Sequence, residues 1–233
     1  DFNTQEALAK IRSNFESIPR QPDPPAVDMT EPPQKAERRA TLDDVHARAP
    51  RVDLAFKAVQ GNTADFYALQ VLSAVLQSGQ SSRLYQKMVK EKEMVTGVGG
   101  FMDEKRGVGA FYTNATLRPG VKTEDIEATI YAEIERLKKE PIADWELQKA
   151  KNTTRRNLIN GLQSSLSRAI TIGQYTVYYN DPNLINERLN KVAAVTKEDV
   201  QRVANKFLVD TNRTVVITMP MAKAKPATGA SGQ

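Results

Sequence analysis

Residues 78–102 read SGQSSRLYQKMVKEKEMVTGVGGFM, a Gly/Ser turn that opens an amphipathic segment and runs on into an apolar, glycine-bearing strand. Gly79 breaks what precedes it, Ser81 or Ser82 is placed to cap a helix, and Leu84, Tyr85 and Met88 fall on its inward side. The strand-like VTGVGGFM (95–102) pairs with GVGAFYTNATL (107–117) as an antiparallel hairpin across the short loop DEKRG. Gly97, Gly99 and Gly100 inside its first arm predict a bulge, or a backbone that another element approaches closely.

Working outward, ERRATLDD (37–44) and RVDLAFKAV (51–59) read as two further strands, the second alternating Val52, Leu54, Phe56 and Ala58. Asn62 or Thr63 caps a helix with Phe66, Leu69, Leu72 and Leu76 on one stripe. Downstream, Thr123 starts a helix carrying Ile126, Ile130, Ile134 and Leu137, and Pro141 closes that segment. One long helical pattern follows from Asp144, with Ile159, Leu162, Leu166, Ala169, Ile170 and Gly173 on a face. Residues 183–192 form another helix, and Thr196 with Asp199 makes a capping box for the next. RTVVITM (213–219) is the last strand. Hairpin-linked strands followed by grouped helices define an α+β fold: two layers, an antiparallel-rich sheet with helices packed on one face.

The flanks differ in composition. Residues 1–18 carry Ala7, Leu8, Ile11 and Phe15 at helical spacing, and residues 19–34 hold six of the twelve prolines, the signature of an extended linker. The folded domain is expected over 35–220, and the small polar residues of 221–233 read as a disordered tail. No leader is apparent ahead of the opening helical pattern, so the chain reads as a piece of something longer.

Composition excludes several functions. Cysteine is absent, which removes disulfides and thiolate metal sites. No apolar run approaches the ~18 residues of a membrane span. The net charge of +5 is spread through mixed stretches such as KMVKEKE and RLKKE, the pattern of solvated helix faces, so nucleic acid is not an expected partner. His46 is the one histidine; it lies in DDVH between two strands, without a second ligand at helical spacing. SGQSS lacks the Gly-Lys-Ser/Thr ending of a phosphate loop, and GVGGF lies within a strand rather than a strand-to-helix turn. The paired carboxylates, such as Glu124-Asp125 and Glu198-Asp199, sit in first helical turns, where they serve the dipole. The chain carries no self-sufficient active site.

Four segments in order nevertheless resemble one family. GQSSRLYQKMVKEKEMVTGV, EPIADWELQKAKN, VAAVTKEDVQRVANKFL and NRTVVITMP are similar to the C-terminal domain of pitrilysin/insulinase zinc metallopeptidases, in the branch of the mitochondrial processing peptidase. DFNTQEALAKIRSNFESIP looks like the last helix of the preceding domain. The resemblance implies half of a zinc endopeptidase, a wall of a peptide-enclosing chamber with subunit contacts. Zinc would belong to an N-terminal domain or a homologous partner subunit, because no His-x-x-Glu-His occurs in this sequence. The fragment alone is therefore expected to be inactive and to hold no cofactor.

Many relatives place an Arg and a later Tyr against the substrate; here those positions are Val89 and Thr96, or in the other register Lys90 and Gly97. Lys90, Thr96 and Gly97 are the candidate substrate contacts, and Lys90 offers charge without the planar fork of arginine. Ala143 stands where the family often has a Ser or Thr cap. The rival expectation is a non-catalytic scaffold subunit, favoured by the lost Arg/Tyr pair. Relatives in bacteria suggest export to the cell envelope.

Overall fold

A computed structural model describes residues 2–22, 24–25 and 27–221; of the tail expected over 221–233, all but Met221 lies outside the described residues. In chain order the elements are α1 (Thr4–Phe15), β1 (Arg38–Asp44), β2 (Arg51–Lys57), α2 (Ala64–Leu76), a π-helical turn (Tyr85–Glu91), β3 (Val95–Met102) and β4 (Ala110–Leu117). There follow α3 (Thr123–Lys139), α4 (Asp144–Gly161), α5 (Ser165–Tyr179), α6 (Leu184–Ala193), α7 (Lys197–Phe207) and β5 (Arg213–Pro220). No described helix is long and apolar enough to cross a membrane.

The strands form one sheet in the order β1-β5-β2-β4-β3. β1 and β5 run parallel; every other pair is antiparallel. The last strand thus inserts between the first two. Alternation sets the core: Val52, Leu54 and Phe56 pair with Ala115, Thr113 and Phe111, and Val52 and Leu54 also with Ile217 and Val215, so all of these share one buried face. Phe56, Phe66 and Phe111 are fully buried there, each stabilising the fold by roughly 1.5–3 kcal/mol. The opposite face carries the half-exposed Asp53, Ala55, Tyr112 and Asn114, and none of the described helices packs on it.

α2 is buried on almost every side, from Phe66 to Leu76, because it lies between the sheet and α4, α6 and α7. Its cap is Thr63, whose hydroxyl accepts from the Phe66 N–H at 3.2 Å. The expected capping box of α7 is present, with Thr196 Oγ1 accepting from Asp199 N and Asp199 Oδ2 from Thr196 N, both at 3.1 Å.

Two expectations need correction. The segment after Gly79 is π-helical, with the Lys92 N–H bonding the Lys87 carbonyl five residues back. Ser82 does not cap it; its hydroxyl donates to the Gly79 carbonyl at 2.7 Å, while Leu84 and Met88 are buried as the spacing requires. The long helix from Asp144 breaks after Gly161, and Ser164 caps α5 afresh. Its supposed inner face is exposed at Ile159, Leu166 and Ile170, because α5 turns only Tyr175 into the domain.

At the start of α4, Ala143 offers no side-chain cap, and Glu146 reaches back to the Ala143 N–H at 2.9 Å. Glu146 also takes both prongs of Arg83, at 2.7 and 2.8 Å, tying α4 to the turn before the π-helical segment. Burial alone raises the Glu146 pKa, but Arg83 and the Ala143 N–H together hold it below the ordinary 4.5. A depressed folded value means that this contribution is present above pH 4.5 and lost as pH falls through the folded value. An Arg83→Met variant is therefore expected to lose less stability on acidification below pH 4.5 than the parent, as urea titrations across that range will show.

Candidate functional site

The sheet order leaves β1 and β3 as its two edges, and β3 is the one beside α2 and the π-helical turn. Its ladder to β4 includes the bond from Asp103 N to Ala110 O at 2.9 Å. Antiparallel alternation then turns the N–H groups of Gly99 and Phe101 toward β4 and those of Val98, Gly100 and Met102 outward. The predicted bulge is real: the register shifts between Val95 and Gly97. So is the predicted close approach. A Cβ on Gly100 would stand 2.0 Å from the Tyr112 carbonyl oxygen and 2.5 Å from the Gln77 amide. Gln77 uses that amide to staple α2 under the hairpin, donating to Tyr112 O at 2.7 Å and accepting from Thr113 Oγ1 at 2.6 Å. Gly97 and Gly99 instead face open space on the bare side of the sheet, beside the stacked rings of Phe101 and Tyr112.

Between this edge, α2 and α4 lies a cavity of about 300 Å³, lined by Gln70, Ser73, Gly100, Met102, Thr154 and Asn157 among others. None of its lining side chains is ionisable. Gln70 Oε1 itself is buried out of reach of solvent, with no hydrogen-bond partner among the described residues, an unmet acceptor costing on the order of 1–3 kcal/mol. Gln70, Ser73 and Ala74 stand at i, i+3 and i+4 on α2, the spacing at which an inverted zinc-binding helix presents its groups. None of the three is a metal-ligand type, and no three His, Cys, Asp or Glu side chains come together among the described residues. His46 is exposed in the loop after β1. The residues present do not fit zinc.

The far end of β3 is locked. Glu104, in the loop between β3 and β4, receives Arg188 of α6 bidentately at 2.9 and 2.5 Å, and Tyr179 donates to it at 3.0 Å. The Arg188 guanidinium is buried among the rings of Phe66, Tyr67 and Tyr175, 5.5–5.7 Å away. Burial pushes the Tyr67 phenol up to about 12.

The candidate contact residues fall away from the cavity. Thr96 and Gly97 are neighbours at the bulge, Thr96 exposed with its hydroxyl donating to Thr116 O at 3.3 Å, and Lys90 is exposed on the π-helical turn. The cavity opens about 10 Å further along the strand, at roughly 3.3 Å per residue. Sequence reasoning missed it. The available signal was the polar pair Gln70 and Ser73 interrupting the otherwise apolar run of α2.

Comparison with known proteins gives a consistent picture. A family model described as the peptidase M16 inactive domain matches residues 1–154. The chain is 29% identical over 222 residues to the zinc protease PqqE of Helicobacter pylori, covering 94% of this chain and 50% of that protein, so it spans about half the length of that relative. It superposes on the crystal structure of a protease from Helicobacter pylori with a TM-score of 0.84 at 28% identity, covering 94% of this chain and 53% of that one. A peptidase M16 inactive domain from Pseudomonas fluorescens shares the fold, with a TM-score of 0.77 at 20% identity over 97% of this chain and 53% of the other.

Proposed function

The chain belongs to the family of peptidase M16 inactive domains, and from that premise we propose that it walls a peptide-holding chamber whose metal centre is furnished by another domain or subunit. The observation that carries this reading is the β3 edge of the sheet beside a neutral cavity. An extended peptide added as a sixth strand would bond the outward N–H and C=O groups of Val98, Gly100 and Met102. Thr96, Gly97 and Lys90 would then meet the peptide beyond the bulge.

Partner contacts have support of their own. No residue of α1 is buried among the described residues, and Leu8, Ile11 and Phe15 form an exposed apolar stripe. On α5, Leu166, Ile170 and Val177 make a second stripe opposite Tyr175. Both suit packing against the partner domain or a homologous subunit. The segment between α1 and β1 is fastened to the sheet by Lys57, which donates to Pro32 O at 2.9 Å, and by Gln34, which donates to Arg213 O at 2.7 Å.

The test is binding of an unstructured peptide to the chain by fluorescence anisotropy. Val98→Pro removes an outward N–H without touching the ladder to β4, and is expected to weaken binding at least tenfold, about 1.4 kcal/mol. Circular dichroism checks that the variant is folded. A folded variant that binds as the parent does would sink the edge-strand reading. It would favour the scaffold-subunit alternative, which the absence of an Arg/Tyr pair in either register already supports.

A further inference from the structure

At the opposite edge of the sheet from β3, β1 is paired on one side only, with β5. Six of its seven residues are exposed, Leu42 at 54%. The Asp44 carbonyl accepts from Met221 N at 3.0 Å, just past the end of β5. Asp44, Leu42, Ala40 and Arg38 therefore turn their backbone groups toward β5, and alternation sends the N–H and C=O groups of Arg39, Thr41 and Asp43 outward. The side chains alternate as well. Arg39, Thr41 and Asp43 stand level with Val215, Ile217 and Met219 on the helix side, and Arg38, Ala40, Leu42 and Asp44 lie on the bare face.

Edge strands commonly carry charge that keeps other strands away. RRATLDD (38–44) carries cations at its start and anions at its end, so a parallel copy is repelled and an antiparallel copy is matched. Centred on Thr41, an antiparallel copy sets Arg38 opposite Asp44, Arg39 opposite Asp43 and Ala40 opposite the exposed Leu42. The outward backbone groups of Thr41 then meet those of the second Thr41, in the same register. A slip of two residues puts Arg38 against Leu42, or Asp44 against Ala40, and the match is lost. The charges for it are at hand. Arg38, Asp43 and Asp44 form no ion pair among the described residues. Arg39 is already held by Glu127 and Glu37, and Asp44 Oδ1 accepts from the His46 N–H at 2.7 Å, leaving Oδ2.

We infer that β1 is a self-complementary edge through which two copies of this chain join their sheets about a two-fold axis at Thr41, with two reciprocal Arg38–Asp44 pairs as the charged contacts. Peptide binding at β3 uses the other edge, so either can fail without the other.

Sedimentation velocity over a rising concentration series tests this, with circular dichroism as the check on folding. The parent chain is expected to pass from monomer to dimer toward the upper end of the series, because a single strand pair is a small interface. Thr41→Pro removes the amides at the axis and no bond to β5, and is expected to abolish the dimer. Arg38→Glu and Asp44→Lys each set like charges opposite one another at both pairs, and each alone is expected to dimerise about tenfold more weakly. Mixed in equal amounts, the two variants regain opposite charges at both pairs and are expected to associate as the parent does. A parent that stays monomeric throughout overturns the proposal. So does a dimer that Thr41→Pro or the charge variants leave intact, or one that mixing the two charge variants fails to restore.

Discussion

Replacing Arg188 with alanine is expected to lower the unfolding free energy by about 3–5 kcal/mol, a fall in Tm on the order of 10 °C for a chain of this size. Arg188 is 5% exposed and donates to both oxygens of Glu104 and to the Tyr175 hydroxyl. Truncating it leaves a half-buried carboxylate with Tyr179 alone and empties a cage of three rings. The cost arises from that stranded charge rather than from the strength of the pair. The double variant Arg188→Met/Glu104→Leu is therefore expected to recover much of the loss. Arg51→Ala, which breaks the exposed pair with Asp53, is expected to cost under about 1 kcal/mol. Urea unfolding of the four proteins checks the ordering; a loss at Arg188 no larger than that at Arg51 would remove the lock from the account.

The second large effect comes from a glycine. Gly100→Ala is expected to destabilise by about 3 kcal/mol, the upper end for an overpacked site, because its Cβ would meet the Tyr112 carbonyl at 2.0 Å and the Gln77 staple at 2.5 Å. Backbone cannot swing aside as a flexible side chain can. Gly99→Ala, one residue away, meets nothing within 4 Å. It is expected to be neutral or to stabilise by about 0.5 kcal/mol through the unfolded chain. Similar urea midpoints for the two would mean that α2 does not press on the hairpin as described.

Local signals made much of the fold legible. The β3–β4 hairpin followed from alternation and its glycines, α2 from its stripe and Thr63, and α7 from the Thr196–Asp199 box. What could not be read was non-local. Nothing in RTVVITM says that it enters between β1 and β2, since that choice is made by pairing across more than 150 residues of chain. The break after Gly161 is not legible because Leu162, Leu166 and Ile170 continue the helical period, while their burial depends on a neighbour that the described residues do not place there. The same limit applies to the site. The glycines of β3 announced a close approach, and the bulge fell where Thr96 and Gly97 stand. The cavity needs α2, α4 and β3 brought together, and Gln70 reads as a mere polar interruption until Asn157 and Gly100 are beside it.

The central claim is that the outer rim of β3 receives an extended chain. Amide hydrogen exchange of Val98, Gly100 and Met102, with and without the unstructured peptide, addresses it most directly. Bound peptide is expected to slow these three at least tenfold and to leave Gly99 and Phe101, already bonded to β4, nearly unchanged. Peptide binding that protects other residues and leaves the three outward amides exchanging at their free rates would contradict it.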